Sequence, residues 1–342
     1  MSSTGSVLVT GANGGLGTAI VQQILKNPDI ASTYTGLYAV RKAATASNLQ
    51  AALRAAPKNH KYETVDIDLS SLSSVRKVAG DINSRVAKGE LPKIRVLVLN
   101  AGYQDREAQP VLSGDGLEMT WQVNHLANML LSLLLLQSMD EENGRILVLA
   151  SQSHDVDDPR NTPLVEFRGI TTLYPGAEKL SRGQLFDNTV PEHAGFIRYG
   201  SSKLAVVMFI KELANRIAKD PKLHNISVIG LDPGGMATDL GRNAGFLIRV
   251  VLMKIVLPLL AEIWVRVSPN GLLRPVWKSS SDVVRALFEI ETPRGELLYL
   301  NGSDVYPIGK EAKDEEKRRD MWNHSLEAAK IAEGDTVLVD WK

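Results

Sequence analysis

The apolar residues of this chain gather in short continuous runs separated by polar or glycine-rich turns. Seven runs have the length typical of buried strands: residues 7–10, 35–40, 62–67, 95–99, 145–150, 226–231 and 296–301. The first five alternate with segments of helical character, and none shows the apolar–polar alternation of a sheet with one wet face. The pattern predicts an α/β fold with a doubly wound parallel sheet of about seven strands and helices on both faces.

The predicted helices differ in polarity. Residues 18–26 and 197–218 carry apolar positions at helical spacing, whereas residues 310–330 are strongly charged and predict an outer, solvated helix. Residues 116–137 predict a long helix whose very apolar second half is too short to span a bilayer. We interpret this segment as a buried core helix that carries Asn124.

The first strand ends in a glycine-rich turn that contains Gly11, Gly14, Gly15 and Gly17 and leads directly into the helix at residues 18–26. Strand, glycine-rich turn and helix form the arrangement that binds a dinucleotide pyrophosphate in a Rossmann-type fold, because the helix N-terminus offers N–H donors. The spacing is Thr-Gly-x-x-x-Gly-x-Gly and differs from the more common Gly-x-Gly-x-x-Gly. A glycine-rich loop without chemistry is the alternative, but the position at the first strand-to-helix turn favours a cofactor.

Basic residues follow the second strand, where Arg41 and Lys42 come directly after Val40. In a dinucleotide fold this strand end faces the adenosine ribose, where an acidic residue binds the 2′-hydroxyl of NAD and an arginine accommodates the 2′-phosphate of NADP. NADP is therefore the predicted cofactor, with NAD as the alternative. The competing interpretation is two exposed basic residues at a turn.

Residues with chemical potential recur wherever a predicted strand ends. In a parallel sheet the carboxyl ends of the strands lie along one edge, and ligands bind in the crevice beyond it. The residues at these ends are Gly11, Arg41, Asp68, Asn100, Ser151 and Pro233. Their convergence predicts a cofactor site and an active site at that edge.

Tyr199 and Lys203 are four residues apart in the predicted helix at residues 197–218. This spacing places both side chains on one face, one turn apart. An ammonium beside a phenol favours the phenolate and lowers the phenol pKa from about 10, so the pair can move a proton to or from a substrate oxygen. Taken alone, the pair favours a solvated helix face, because Tyr-x-x-x-Lys occurs by chance in many helices.

Composition excludes several classes of function. Lys plus Arg and Asp plus Glu both total 39, so the net charge is zero and nucleic acid is not a predicted partner. The chain has no cysteine, which excludes disulfides and thiolate metal sites and fits a reducing compartment; no metal site is predicted. The N-terminal residues lack a secretory signal pattern, and we expect a cytoplasmic location, with membrane association as an alternative.

The motifs taken together resemble the short-chain dehydrogenase/reductase family. They occur in the family's order over roughly residues 5–240 and consist of Thr10-Gly11-x-x-x-Gly15-x-Gly17, Asn100-Ala101-Gly102, Asn124, Ser151, Tyr199-x-x-x-Lys203 and Pro233-Gly234. The contexts of Asn124 and Pro233 are similar to the retinol-dehydrogenase-like and protochlorophyllide-reductase-like branches and to fungal secondary-metabolite reductases.

The resemblance implies catalytic roles for four residues. Tyr199 would be the general acid in reduction and the base in oxidation, and Lys203 would lower its pKa and bind the nicotinamide ribose. Ser151 would hydrogen-bond the substrate oxygen, with Ser153 as the alternative, and Asn124 would hold a water in a proton relay. The implied cofactor contacts are Gly11, Asn13, Gly15, Leu16, Gly17, Arg41, Asp68, Asn100, Gly102, Tyr199, Lys203, Pro233, Gly234 and Thr238.

The chain departs from the family pattern between Ser151 and Tyr199, which are 48 positions apart, whereas the family link is usually much shorter. We expect a single domain over residues 1–342 with an insertion at 152–195 near the active site, over its mouth, that forms a lid, a partner surface or both. His154 and His193 lie in this polar segment and receive no assigned role. Leu99 replaces the first Asn of the family's Asn-Asn-Ala-Gly motif, a mild change.

The resemblance implies that the region after Pro233-Gly234, residues 235–280, closes over the substrate. Within it, residues 246–267 are apolar but interrupted by charges and a proline. A lid for a lipophilic substrate, a helix at a membrane surface and a buried core or dimer helix are the competing interpretations. Residues 310–342 are predicted to form a helical C-terminal tail, with Trp341 docked on the body.

The sequence thus predicts an NADP(H)-dependent oxidoreductase that interconverts a ketone and a secondary alcohol. The expected substrate is an apolar small molecule of terpenoid, polyketide, steroid or retinoid type. The alternatives are an NAD(P)-binding regulator without turnover and a membrane-surface lipid or retinoid dehydrogenase. Peripheral membrane contact through residues 246–267 and a homodimer are the other expected associations.

Overall fold

The computed structural model describes residues 4–186, 189–236 and 257–342. Within these ranges the chain builds one eight-stranded sheet in the order β3-β2-β1-β4-β5-β6-β7-β8, parallel throughout except for the β7–β8 pair. The strands are β1 (Gly5–Thr10), β2 (Tyr34–Val40), β3 (Tyr62–Asp66), β4 (Ile94–Leu99), β5 (Arg145–Leu149), β6 (Ser227–Asp232), β7 (Leu297–Asn301) and β8 (Asp304–Val305). The strand order reverses between β1 and β4, which opens a crevice at their carboxyl ends.

Helices cover both faces of the sheet. They are α1 (Gly15–Lys26), α2 (Pro28–Thr33), α3 (Ser47–Leu53), α4 (Leu72–Ala87), α5 (Met119–Trp121), α6 (Ala127–Leu135), α7 (Ala177–Ser181), α8 (Ala194–Ile217), α9 (Leu257–Val267), α10 (Val276–Phe288), α11 (Lys310–Lys313) and α12 (Glu315–Ala328). One core packs α1, α3 and α10 against the sheet, and the other packs α4, α6 and α8. Burial on both sides explains why the central strands read as continuous apolar runs.

All seven predicted strands are present, and the α/β prediction is confirmed. One part of the reasoning was wrong, because β3 is an edge strand in which Tyr62, Thr64 and Asp66 are exposed. Its side chains alternate between exposed and partly buried, as expected where a strand lacks a neighbour on one side. The two-residue β8 escaped prediction because Asp304 and Val305 show no apolar run.

The predicted long helix over residues 116–137 is interrupted. A π-helical turn, Gln122–Leu126, separates α5 from α6 and contains Asn124. π-helical turns occur often at functional sites because they re-aim a side chain. The buried second half of the segment is confirmed.

The charged C-terminal tail is helical, but it is more than an outer solvated element. Trp322 is 1% exposed and stacks on Phe209 of α8 with ring centres 6.3 Å apart. The Trp322 indole N–H donates to the Trp341 carbonyl at 2.8 Å, so the end of the chain lies against the body as predicted. The prediction of a fully solvated helix was based on charge alone and missed the aromatic face that α12 buries.

No helix among the described residues is both long enough and apolar enough to cross a membrane.

Candidate active site

A cleft of about 470 Å³ opens at the carboxyl ends of the central strands. Its lining includes most of the residues predicted to bind a cofactor: Gly11, Asn13, Gly15, Leu16, Gly17, Arg41, Asp68, Asn100, Gly102, Tyr199, Lys203 and Pro233. With Leu149 and Ala150 at the end of β5 added, residues from six strand ends meet in one crevice, as the pattern of strand ends predicted. Lining residues that the sequence did not single out include Tyr103, Gln104, Val123 and Met236.

The glycine-rich turn is packed tightly against the end of β4. Gly11 has φ of +66°, and a Cβ there would lie 2.9 Å from Ala101 Cα. A Cβ on Gly17 would lie only 2.2 Å from the Gly11 carbonyl oxygen. The Asn100 side chain donates to the Thr10 carbonyl at 2.8 Å, which ties the turn to β4. Only glycine fits these two positions.

The beginning of α1 faces the cleft without a cap from its own sequence. Gly14 precedes the helix and provides no side-chain acceptor, and the first turn carries no acidic residue. Its N-terminal N–H groups and the positive end of its dipole are suited to an anion. The predicted contact Asn13 lines the cleft, and its side-chain oxygen accepts from the Leu49 N–H at 3.0 Å, which anchors α3 beside the turn.

Two cations stand at the far end of the cleft. Arg41 and Lys42 both line it, and the Arg41 side chain is 66% exposed. The Arg41 Nε lies 4.0 Å from Asp68 Oδ1, and the same oxygen accepts from the Ser70 hydroxyl at 2.6 Å. Asp68 is thus fixed by its own loop, while the guanidinium of Arg41 keeps most of its surface free for an anion.

Tyr199 and Lys203 lie on the face of α8 that closes the other end of the cleft. Ser151 lies close enough to the Tyr199 hydroxyl to act on its pKa, so the predicted Ser–Tyr pair is brought together. The Ser153 hydroxyl donates to Ser151 Oγ at 3.0 Å, which places the alternative serine behind the first. The Lys203 Nζ lies 5.7 Å from the centre of the Tyr199 ring and donates to the Leu149 carbonyl at 2.8 Å.

The acid–base balance of this pair differs from the prediction. Burial raises the pKa of the Tyr199 hydroxyl, the negative charge of Asp232 raises it further, and Ser151 acts in the opposite direction. The lowering expected from Lys203 is not among the effects on this hydroxyl, and the Lys203 ammonium donates to the Leu149 carbonyl. Burial lowers the pKa of Lys203 itself to about 8, against the attraction of Asp232. The phenol therefore stays protonated at neutral pH and holds a proton to donate, although the raised pKa makes it a weaker acid than an ordinary tyrosine.

Asn124 does not line the cleft. Its side-chain oxygen accepts from the Tyr103 N–H at 2.7 Å, and its Nδ2 donates to the Tyr103 carbonyl and to Ser202 Oγ, both at 2.9 Å. Asn124 therefore holds the backbone of Tyr103, a residue of the cleft wall, against α8. Its role in a water relay stays a prediction.

Three further predicted positions have different outcomes. Ser151 follows the lining residues Leu149 and Ala150 but does not line the cleft itself. Gly234 has φ of +74° and donates its N–H to Asp232 Oδ1 at 2.9 Å, so it shapes the chain after β6. Thr238 lies outside the described residues, as do parts of the predicted 235–280 lid and the 246–267 segment.

The place of the 152–195 segment over the mouth of the cleft stays a prediction. None of its described residues lines the cleft. Instead it packs on the C-terminal tail: the Leu173 N–H donates to Glu311 at 2.9 Å, and the Tyr174 hydroxyl donates to Asp320 at 2.5 Å. His154 is buried, and its Nε2 accepts from the Gly309 N–H at 3.0 Å. The segment and the tail share an interface, which the sequence did not indicate.

Sequence reasoning missed one ion pair beside the site. Asp232, at the end of β6, is 1% exposed and pairs with Arg160 of the 152–195 segment at 2.6 Å. A signal for Asp232 was available, since a carboxylate directly after a buried apolar strand needs a partner. Arg160 carried no signal, because a lone arginine in a polar loop is usually solvated.

Comparison with known proteins agrees with the family resemblance seen in the motifs. A family model described as short chain dehydrogenase matches residues 6–163. The chain is 43% identical to the short-chain dehydrogenase iccH of Talaromyces variabilis, with all of both chains covered. It is 28% identical to retinol dehydrogenase 13 of Homo sapiens, over 96% of this chain and 87% of that protein.

Solved structures share the fold. The NADPH-bound carbonyl reductase from chicken fatty liver superposes with a TM-score of 0.55 at 20% identity, covering 90% of this chain and 100% of the other. A short chain dehydrogenase from Burkholderia cenocepacia in complex with NADP gives 0.55 at 18% identity, with 88% and 97% covered. At these identities the likeness establishes the architecture.

Proposed function

The chain belongs to the short-chain dehydrogenase family of oxidoreductases, and we propose that it uses NADP(H) to interconvert a ketone and a secondary alcohol. The observation that carries the proposal is the meeting of Tyr199, Ser151 and Lys203 at one end of a cleft whose other end holds Arg41. A proton donor and an anion-binding end on one crevice are what a reductase with a phosphorylated dinucleotide requires.

The cleft fits the cofactor in three places. The uncapped N-terminus of α1 suits the pyrophosphate. Because Gly11 and Gly17 carry no side chain, the backbone of the turn can come close to the pyrophosphate. Arg41 and Lys42 suit a 2′-phosphate, because an exposed guanidinium binds phosphate oxygens in pairs. Lys203, at the other end, would hold the nicotinamide ribose. When bound, the cofactor supplies or accepts the hydride.

The residues of this chain would handle the proton. In reduction, the Tyr199 hydroxyl would donate its proton to the substrate oxygen, so that carbonyl becomes alcohol, and Ser151 would act on the Tyr199 hydroxyl from outside the cleft lining. In oxidation, Tyr199 would take the proton back. When protonated, Lys203 would place positive charge 5.7 Å from the centre of the Tyr199 ring, which would partly offset the cost that burial and Asp232 add to forming the phenolate.

We propose an apolar substrate, of terpenoid, polyketide, steroid or retinoid type. The cleft lining includes Val123, Leu149 and Met236, and apolar lining residues favour an apolar ligand.

The test is cofactor consumption by purified protein. NADPH is incubated with a panel of apolar multi-ring and long-chain ketones and with small polar ketones. We expect oxidation of NADPH with apolar ketones, and turnover confined to small polar ketones would overturn the substrate class. No turnover with any ketone, together with no NADPH binding by calorimetry, would overturn the cofactor as well.

A membrane-surface location is a second candidate, favoured by the exposed apolar face of α9. Ile263 is 64% exposed, Trp264 56% and Val267 83%, and Trp277 of α10 lies close enough to donate to Glu262 at 2.8 Å. An apolar face with tryptophan is typical of helices that lie in the membrane interface. Flotation with phosphatidylcholine vesicles should carry the wild-type protein into the vesicle fraction but leave the I263S/W264S/V267S variant behind. If both proteins float with the vesicles, or if neither does, the candidate is contradicted.

A further inference from the structure

Asp232 is a buried carboxylate that the proposed mechanism does not use. It ends β6, directly before Pro233 of the cleft wall, and is 1% exposed. Arg160 Nη1 donates to Asp232 Oδ2 at 2.6 Å, and the Gly234 N–H donates to Oδ1 at 2.9 Å. A buried carboxylate without such a partner would carry a large desolvation cost.

Arg160 is held in place by several groups at once. Asp158 forms a bidentate pair with it, with contacts of 2.6 and 3.0 Å, and Asn301 of β7 accepts from it at 2.6 Å. The guanidinium carbon also lies 4.8 Å from the centre of the Tyr306 ring. An arginine fixed on four sides is a rigid charge, and it belongs to the segment between Ser151 and Tyr199.

The sheet register brings this charge close to the candidate catalytic pair. Leu149, whose carbonyl accepts from Lys203, lies opposite Leu231 in the β5–β6 ladder, and Asp232 is the next residue. Asp232 raises the pKa of both Tyr199 and Lys203. The positive charge of Arg160 beside the Asp232 carboxylate would offset that rise in both pKa values.

We propose that Arg160 is a positioning residue that neutralises Asp232 behind the Tyr199–Lys203 pair, so that the 152–195 segment controls the charge felt by the pair without lining the cleft. The inference rests on the proposed function for its catalytic consequence, but the electrostatic link itself can be measured without turnover. The proposal gives the 152–195 segment a role in the site although none of its described residues lines the cleft.

Several other ionisable groups surround Asp232. The groups that sense its charge are His154, Arg160, Tyr199, Lys203, Arg274 and Tyr299, and Asp158 faces it through Arg160. Arg274 contacts the Asp232 backbone oxygen at 3.0 Å, whereas Arg160 contacts the carboxylate. Burial keeps the pKa of His154 low, so this ring is neutral near pH 7. Arg160 is therefore the direct charge partner of the carboxylate among the described residues.

The sign of each substitution follows from charge. Removal of the carboxylate in D232N takes away a group that favours the Lys203 ammonium, so the pKa of Lys203 should fall from about 8. Removal of the guanidinium in R160M leaves the carboxylate unscreened, so the same pKa should rise. Shifts of about half to one pH unit are expected for charges at this range. The double variant R160M/D232N should lie closer to wild type than R160M does.

The experiment is a pH titration of Lys203 by NMR in protein labelled with ¹⁵N-lysine, with the signal assigned through K203R. R216M is the matched control, since Arg216 pairs with Glu212 at 2.9 Å and stacks over Trp322 at 4.6 Å, away from the cleft. It should lose stability without moving the Lys203 titration. If R160M does not fold, D232N and the double variant still decide the question.

Opposite shifts in R160M and D232N support the proposal. Shifts in the same direction, or a D232N titration that matches wild type, overturn it. The pH dependence of ketone reduction should move in the same sense as the Lys203 titration. Lack of turnover in the wild type, with the opposite NMR shifts intact, would contradict the proposed function and leave the charge link standing.

Discussion

The ammonium of Lys203 lies 5.7 Å from the centre of the Tyr199 ring and is bound to the Leu149 carbonyl at 2.8 Å. The helix places both side chains on one face, while the end of β5 decides where the charge points. Proximity within a motif therefore does not by itself lower the phenol pKa. Burial and the carboxylate of Asp232 outweigh the lysine here.

The lysine pKa predicts how stability depends on pH. Burial lowers the folded-state pKa of Lys203 to about 8, below that of an unfolded lysine near 10.4. Between these values the unfolded chain binds more protons, so wild-type stability should rise with pH relative to K203M. Urea unfolding of both proteins from pH 7 to 10 measures this, and a constant difference between them would refute the lowered pKa.

Arg41 should decide the choice between NADPH and NADH. Loss of a charge-assisted phosphate contact in R41A should raise the KM for NADPH by about 10- to 100-fold while the KM for NADH changes little. Arg54 is an exposed arginine outside the cleft lining, and R54A is the control that should change neither constant. Equal losses with both cofactors in R41A would remove Arg41 from the phosphate site.

Gly17 should tolerate no side chain. A Cβ there meets the Gly11 carbonyl oxygen at 2.2 Å, so G17A must displace the turn and weaken cofactor binding together with thermal stability. Gly80 of α4 has open space around its Cβ position. G80A should therefore stabilise the protein by about 0.5–1 kcal/mol through helix propensity. Calorimetry of both variants compares them, and normal cofactor affinity in G17A would show that the turn is not a binding element.

The sheet and most of the cleft were predictable because each depends on local pattern. Continuous apolar runs mark strands buried on two faces, and parallel topology gathers their ends, so Gly11, Arg41 and Asn100 could be placed together before the fold was known. Edge position is not encoded in the same way, which is why β3 was taken as buried. Hydrophobic content also cannot show a two-residue strand such as β8.

The ion pair between Arg160 and Asp232 could not be predicted, because its partners are 72 positions apart and one lies in a segment without periodicity. The same holds for Leu173 and Glu311, which tie that segment to the C-terminal tail. Long-range contacts between irregular segments depend on the packed fold. The sequence indicates that a buried Asp232 needs a charged or polar partner, but it does not indicate which residue that partner is.

The central claim is that Tyr199 supplies the proton when a ketone is reduced. The most direct measurement compares Y199F with wild type, using Y62F on the exposed edge strand as the control. With an apolar ketone and NADPH, Y199F should lose about 10²- to 10⁴-fold in kcat, the range typical of a general acid, while calorimetry shows NADPH bound as in wild type. Undiminished turnover in Y199F would contradict the account, because the hydroxyl would then have no part in the reaction.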